Sequence, residues 1–234
     1  MPSPRAPGDE IRTQRYGDLR ESTAAIQGFF DRVGPRLYAI FFGALGYRAS
    51  LRHFMRAHHH RFGLRDHMAI LDAGIGTGFL TVGLLRESPI PLEAVGMDFS
   101  RGMLTGLKRR LTTEGLESRV RLNLADMRRM PFPHHAFDLV ITSAAMEYLP
   151  QVRDGIVECA RVLRPGGRLL FIATRDSLMG KAIAATWKNK VLSPIHVADC
   201  MRRAGMTRVE RLRFPWYFPH VNAWGMALVG QTAS

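Results

Sequence analysis

The sequence predicts a doubly wound α/β domain, and three observations carry that expectation. From about His67 onward, apolar strand-like runs alternate with helix-like stretches, the pattern of a mainly parallel sheet covered on both faces. The first of those runs leads directly into three alternating glycines, Gly74, Gly76 and Gly78, and then into a helix start. The last two runs, 208–214 and 224–229, are separated by only nine residues, too few for a helical crossover, so they are expected to pair antiparallel.

Taken in order, residues 1–10 are Pro-rich and charged and are expected to be disordered; they lack the apolar stretch of a signal peptide. Residues 11–64 read as a helical cap with an apolar middle that includes Phe29, Phe30, Phe41 and Phe42. Residues 65–234 form the core, with cap and core expected to make one unit. Strands are expected at 68–72, 94–98, 120–124, 137–143 and 168–174, before the closing pair. Helices are expected at 79–87, 102–114, 152–163 and 194–204, with Ser100 as the cap of the second.

A chain of 234 residues suffices for one such domain with a proper core and is short for two. Its formal charge of +13 points to an anionic partner, but 29 of the 33 basic residues are Arg and they are spread along the chain, which also fits a GC-rich codon bias. Cys159 and Cys200 fall in helix-like stretches and form neither a CxxC pair nor a zinc spacing, so packing in a reducing compartment is expected. The most apolar run, 37–47, has eleven residues against the ~20 needed to cross a bilayer. A soluble, cytoplasmic protein is expected, with peripheral contact at the inner face of a membrane as a further expectation.

The glycine loop carries the most chemistry. Glycines at 74, 76 and 78 allow positive φ angles and bring bare backbone close to a ligand. A dinucleotide fingerprint, GxGxxG, would put its last glycine at Phe79; the loop is instead DxGxGxG, with Asp72 before the first glycine. A carboxylate there repels a pyrophosphate and attracts the ammonium group of an amino acid. Asp98 ends the next strand, where a carboxylate can accept from both ribose hydroxyls. Asp126, with Met127 beside it, stands where it could accept from an adenine amino group.

These residues resemble the class I S-adenosylmethionine-dependent methyltransferases, especially the branch that includes quinone-biosynthesis and other small-molecule enzymes. Four blocks carry the resemblance: LDAGIGTG at 71–78, VGMDFSRGML at 95–104, ADMRRMPFPHHAFDLVITSAAMEYL at 125–149 and ARVLRPGGRLLF at 160–171. It implies a Rossmann-like, seven-stranded sheet of order 3-2-1-4-5-7-6 with strand seven antiparallel. It also implies S-adenosyl-L-methionine as cofactor, with S-adenosyl-L-homocysteine as product. On that basis Asp72 and Gly74 would hold the methionine end, Asp98 the ribose, Phe99 and Met127 would lie beside the adenine with Asp126 bonding its amino group, and Ile75, Gly76, Gly78 and Met103 would also bind the cofactor. Ser143 would face the cofactor by its backbone. Where many relatives carry a His pair after strand four, this chain has Glu147-Tyr148, which removes a His-based mechanism.

Methyl transfer from a sulfonium needs a general base only if the nucleophile arrives protonated. Glu147 is the candidate base and Tyr148 and Tyr38 candidate orienting groups; an exposed helix-start acid is the competing reading of Glu147. No metal is expected, since His58-His59-His60 and His134-His135 lack ligand spacing. Thr142-Ser143-Ala144-Ala145 replaces the Pro-Pro-aromatic motif of base-modifying enzymes, so nucleic acid is disfavoured. The expected acceptor is small and lipophilic or aromatic, beneath a lid from the cap and from 176–193, the latter with Met179, Ile183, Trp187, Lys181, Lys188 and Lys190. The rival is a non-catalytic protein of the same fold that binds the cofactor or nucleic acid.

Overall fold

The computed structural model describes residues 12–13, 27–31 and 34–233. The tail expected to be disordered at 1–10 lies outside the described residues, as do Arg32 and the side chains of Arg36 and Tyr38.

Among the described residues eight strands form one sheet: β1 (Arg12–Thr13), β2 (Ile70–Ala73), β3 (Ala94–Asp98), β4 (Val120–Leu124), β5 (Phe137–Ser143), β6 (Leu163–Thr174), β7 (Met206–Leu212) and β8 (Gly225–Thr232). Their order is β1-β4-β3-β2-β5-β6-β8-β7. Without β1 this is the expected 3-2-1-4-5-7-6 arrangement, and β8 pairs antiparallel with both β6 and β7. The two-residue β1, parallel to β4 at the edge, is an addition the sequence did not signal.

Burial explains the strand patterns. All four residues of the central β2 are buried, as a parallel strand covered on both faces requires. The edge strand β7 buries Met206 and Leu212 and exposes Arg208, Glu210 and Arg211, charges that discourage further pairing. β6 begins at Leu163, five residues earlier than 168, because Arg164–Gly167 is carried in an irregularity opposite Phe137 and Leu139.

The helices are α1 (Gly34–Ala44), α2 (Tyr47–His58), α3 (Phe79–Glu87), α4 (Arg101–Thr113), α5 (Val152–Val162), α6 (Leu178–Trp187), α7 (Pro194–Arg203) and α8 (Pro219–Trp224). Ser100 caps α4 by accepting from Met103 N at 3.1 Å. Ser193 followed by Pro194 opens α7. Two helices correct the sequence reading: α6 occupies the segment taken as a lid, and α8 fills the gap between the last two strands. The gap still lacks a crossover, because α8 has only six residues and returns the chain to an antiparallel partner.

Among the described residues no helix is long and apolar enough to cross a membrane. Helix α2 lays Leu51, Phe54 and Met55 into the core and keeps Arg48, Arg52 and Arg56 outward.

Candidate active site at the carboxyl edge of the sheet

The loop after β2 is built around two glycines for different reasons. Gly74 has φ +80°, and a Cβ there would stand 2.3 Å from Ala145 Cβ and 2.8 Å from Met127 Cε, so a side chain is excluded by strain and by space together. Its N–H and that of Ile75 both donate to Met97 O, at 2.8 and 2.9 Å, tying the loop to the end of β3. Gly78 has φ +72°, and what its missing Cβ makes room for is Leu107 of α4, 2.5 Å away. Gly78 therefore sets the packing of α3 on α4 and does not line the cavity, although it was expected at the cofactor.

Two carboxylates face each other across this loop. Asp72 is buried and accepts a hydrogen bond from Thr81 Oγ1; burial pushes its carboxyl up to about 7, against the lowering effect of Thr81 and with a raising effect from Asp98. Asp98 accepts from Gly76 N through Oδ2 and from Ser100 N through Oδ1, each at 2.9 Å. Burial raises it to about 6 despite those donors. Among the described residues no cation pairs with either acid.

Both acids line a cavity that opens at the carboxyl ends of the strands, where ligands bind in open α/β sheets. Gly74, Ile75, Gly76, Phe99, Met103, Met127, Ser143 and Tyr148 line it with them. Asp126 lies in an adjoining cavity that shares Gly74, Asp98, Phe99, Met127, Ala145 and Tyr148 with the first. Its carboxylate is held by Arg128, with Nη2 at 2.6 Å from Oδ2, and also accepts from Arg128 N at 2.8 Å. Ala144, at the exit of β5, has φ +51°, a costly conformation for a residue with a Cβ, on the wall of the first cavity.

The roof comes from distant parts of the chain. The segment 27–31 is anchored over α4 by Asp31 Oδ1, which accepts from Ser100 Oγ at 2.7 Å and Gly102 N at 2.9 Å. Gln27 Nε2 donates to Phe99 O at 3.0 Å. Phe30 lines the cavity and meets Tyr148 edge-on at 5.2 Å. Phe41 and Phe42 pack against Trp187 at 5.4 and 5.5 Å, and Tyr47 against Trp224 at 5.1 Å. Tyr47 and Leu51 line the cavity from α2, and the Tyr47 hydroxyl is 2.7 Å from Ser143 Oγ. No short-range pattern marks Tyr47 or Leu51; only the 3.6-residue spacing of the apolar face of α2 hints that they point inward.

Glu147 is not the exposed helix-start acid that competed with its reading as a base. It is 1% exposed, accepts from Thr174 N at 2.8 Å, and its Oε2 has no hydrogen-bond partner. Burial lifts its carboxyl to about 7. It lies behind the cavity wall and lines neither cavity. Tyr148, its neighbour, lines both, with its hydroxyl 3.4 Å from Trp187 O. The histidines are spread over backbone partners: His58 Nε2 lies 2.9 Å from Arg213 O and His59 Nδ1 2.9 Å from Arg56 O.

Comparison with known proteins agrees with this geometry. Residues 70–167 match the family model described as a methyltransferase domain. The chain is 32% identical over 152 residues to the demethylmenaquinone methyltransferase of Lactiplantibacillus plantarum, covering 64% of this chain and 62% of that protein. It is 36% identical over 146 residues to that of Thermus thermophilus, covering 61% and 63%. The chain thus matches less than two thirds of the length of these relatives. Among solved structures, phosphoethanolamine N-methyltransferase 2 of Haemonchus contortus, in complex with S-adenosyl-L-methionine, superposes with a TM-score of 0.68 at 16% identity, over 93% of this chain and 61% of that one. Four motif blocks and the strand order agree with the methyltransferase-domain match at 70–167, and the chain is similar to the two quinone-biosynthesis methyltransferases over 61–64% of its length.

Proposed function

We propose that the protein transfers a methyl group from S-adenosyl-L-methionine to a small lipophilic or aromatic acceptor. The observation that carries this reading is the joining, in one cavity, of two buried carboxylates, paired with no cation among the described residues, with the aromatic rings of Phe30, Tyr47 and Tyr148. The donor half fits the cofactor's polar groups. Asp72, buried with one hydroxyl donor, would gain a counter-ion from the amino acid ammonium. Asp98 has one protein donor on each oxygen, which leaves lone pairs for ribose hydroxyls. Ile75, Phe99, Met103 and Met127 supply apolar surface beside them, and Gly74 and Gly76 the bare backbone. Asp126 would share its oxygens between Arg128 and an adenine amino group.

The bound cofactor supplies an electrophilic methyl group on a sulfonium whose leaving group departs neutral. The chain's own work is alignment and the exclusion of water. Phe30 and Tyr148 close the cavity, while the Tyr47–Ser143 hydroxyl pair offers a fixed polar contact for an acceptor. Glu147 stands behind Thr174 and lines neither cavity, so we assign it a positioning role at the end of β6 and leave the alignment, without a side-chain base, as the main contribution. The acceptor in the first relative's name, demethylmenaquinone, has the flat apolar ring such a roof suits. We take 11–64 as a cap working as one unit with the 65–234 core, on the strength of the Asp31 and Tyr47 contacts.

Labelled methyl donor incubated with the protein and a lipid-extracted metabolite pool should give a labelled, organic-soluble product and S-adenosylhomocysteine. Cofactor binding without turnover on any quinone or phenolic acceptor would favour the non-catalytic reading. Asp98→Ala should weaken cofactor binding roughly tenfold in calorimetry, as loss of charge-assisted hydrogen bonds demands; unchanged affinity would refute its ribose role.

A further inference from the structure

A second concave surface lies on the outer side of α2, α3 and α4. Arg48, Arg52, His53, Arg86 and Arg110 line a groove, and Arg56 extends it past Glu87. Two carboxylates lie beneath. Glu87 pairs with Arg52 and, at 2.7 Å, with Arg56; Glu114 pairs with Arg48, Arg86 and Arg110 at 2.9, 2.9 and 2.7 Å. Five guanidiniums over two carboxylates leave a local surplus of three positive charges.

The acids are buried and the arginines cover them. Arg48, Arg52, Arg56 and Arg86 each engage a single nitrogen in these pairs while their side chains stay 40–66% exposed, so most of their N–H donors face outward. Arg110, deeper, has Nη2 buried without a partner. Its charge is disfavoured first by burial; Glu114 opposes that, and the neighbouring Arg48 and Arg86 add to it.

Beside this groove stands an aromatic loop. His53 Nδ1 lies 3.1 Å from the Tyr217 hydroxyl and its ring packs on Phe218 at 5.6 Å. Trp216, next in the chain, is 86% exposed and Tyr217 is half-exposed. An indole held in water beside outward-facing guanidiniums matches the composition of the headgroup layer of a bilayer, where Trp and Tyr rings concentrate and anionic lipids attract basic residues. One exposed indole stands beside the groove rather than a series of stacking platforms, which disfavours a single-stranded nucleic acid.

We propose that the Arg48–Arg52–Arg86 groove docks the protein on anionic phospholipid headgroups, with Trp216 and Tyr217 seated in the interfacial layer. This does not depend on the methyl-transfer reading, because none of the groove's arginines lines the cofactor cavity.

The test uses the full chain and vesicles of phosphatidylcholine with or without phosphatidylglycerol, at about 0.15 M salt. Retention is expected only on the anionic vesicles. Trp187 and Trp224 are buried, so a blue shift and quenching by brominated lipid that disappear in Trp216→Phe would report Trp216 itself. The double variant Arg48→Gln/Arg52→Gln leaves Glu87 with Arg56 and Glu114 with Arg86 and Arg110, so its melting should stay close to wild type. Its affinity for anionic vesicles should fall roughly thirtyfold, about fivefold per arginine. Equal retention of the double variant, no retention of the wild type, or binding of pyrophosphate or a single-stranded oligonucleotide at these arginines with vesicles left unbound would each overturn the proposal.

Discussion

The two edges of one sheet treat buried carboxylates in opposite ways. At the amino edge Asp138 accepts from Ala69 N and Arg164 Nη1, each at 2.7 Å, and also pairs with Arg65. Burial alone would raise its carboxyl; the Ala69 and Arg164 hydrogen bonds and both guanidiniums outweigh that and hold it below the usual range. At the carboxyl edge Asp72, Asp98 and Glu147 are equally buried, pair with no cation among the described residues, and are raised to about 7, 6 and 7. Among the described residues no arginine pairs with these three acids. The difference separates a carboxylate that holds the fold from carboxylates left available to a ligand.

The sharpest way to break this contrast is to fill the second edge. Gly74→Val should abolish cofactor binding in calorimetry, by more than about a hundredfold, because a strained φ and two clashes close the cavity between the acids. Asp138→Ala removes the shared partner of Arg65 and Arg164 and should lower unfolding free energy by about 3 kcal/mol in urea titrations. Its cofactor affinity, measured on folded protein, should stay within about twofold; a large loss would mean that the edges are coupled.

Glu147→Gln tests the raised acids through pH. A carboxyl lifted from 4.5 to about 7 contributes stability that is complete below pH 4.5 and is lost as pH rises through about 7. The glutamine has no such dependence, so thermal melts should show the wild type losing about 2–3 kcal/mol relative to the variant between pH 5 and pH 8. Parallel curves would show that Glu147 titrates normally. The smallest effect is expected for Tyr47→Phe, which removes the Ser143 partner at a cost of about 1 kcal/mol. Cofactor affinity should be unchanged and the acceptor KM raised, because the pair belongs to the roof.

The donor half of the site was legible because its information is local. Asp72, Gly74 and Gly76 fall within one strand–turn segment, and Asp98 closes the next strand; both patterns are fixed by periodicity and glycine spacing. The same local signal misled at Gly78, whose φ is as expected but whose space belongs to Leu107. Helix α6 escaped notice because LMGKAIAATW is apolar over most of its length and gives no amphipathic period, and α8 because six residues are too few to show one. The burial of Glu147 has no local signal, because nothing near it in sequence announces Thr174, 27 residues on, as its donor.

What the sequence determined by itself, then, is the succession of strands and helices along the chain, the glycine turn and the placing of two acids at strand ends. These depend on side-chain period and backbone freedom over spans shorter than about thirty residues. The tertiary structure alone decided which acids are paired with arginine, how the roof closes, and where charge accumulates outside. Tyr47 meets Ser143 across 96 residues and Arg65 meets Asp138 across 73. Contacts at such separations exist only once the sheet has brought distant segments together, and no local pattern specifies them.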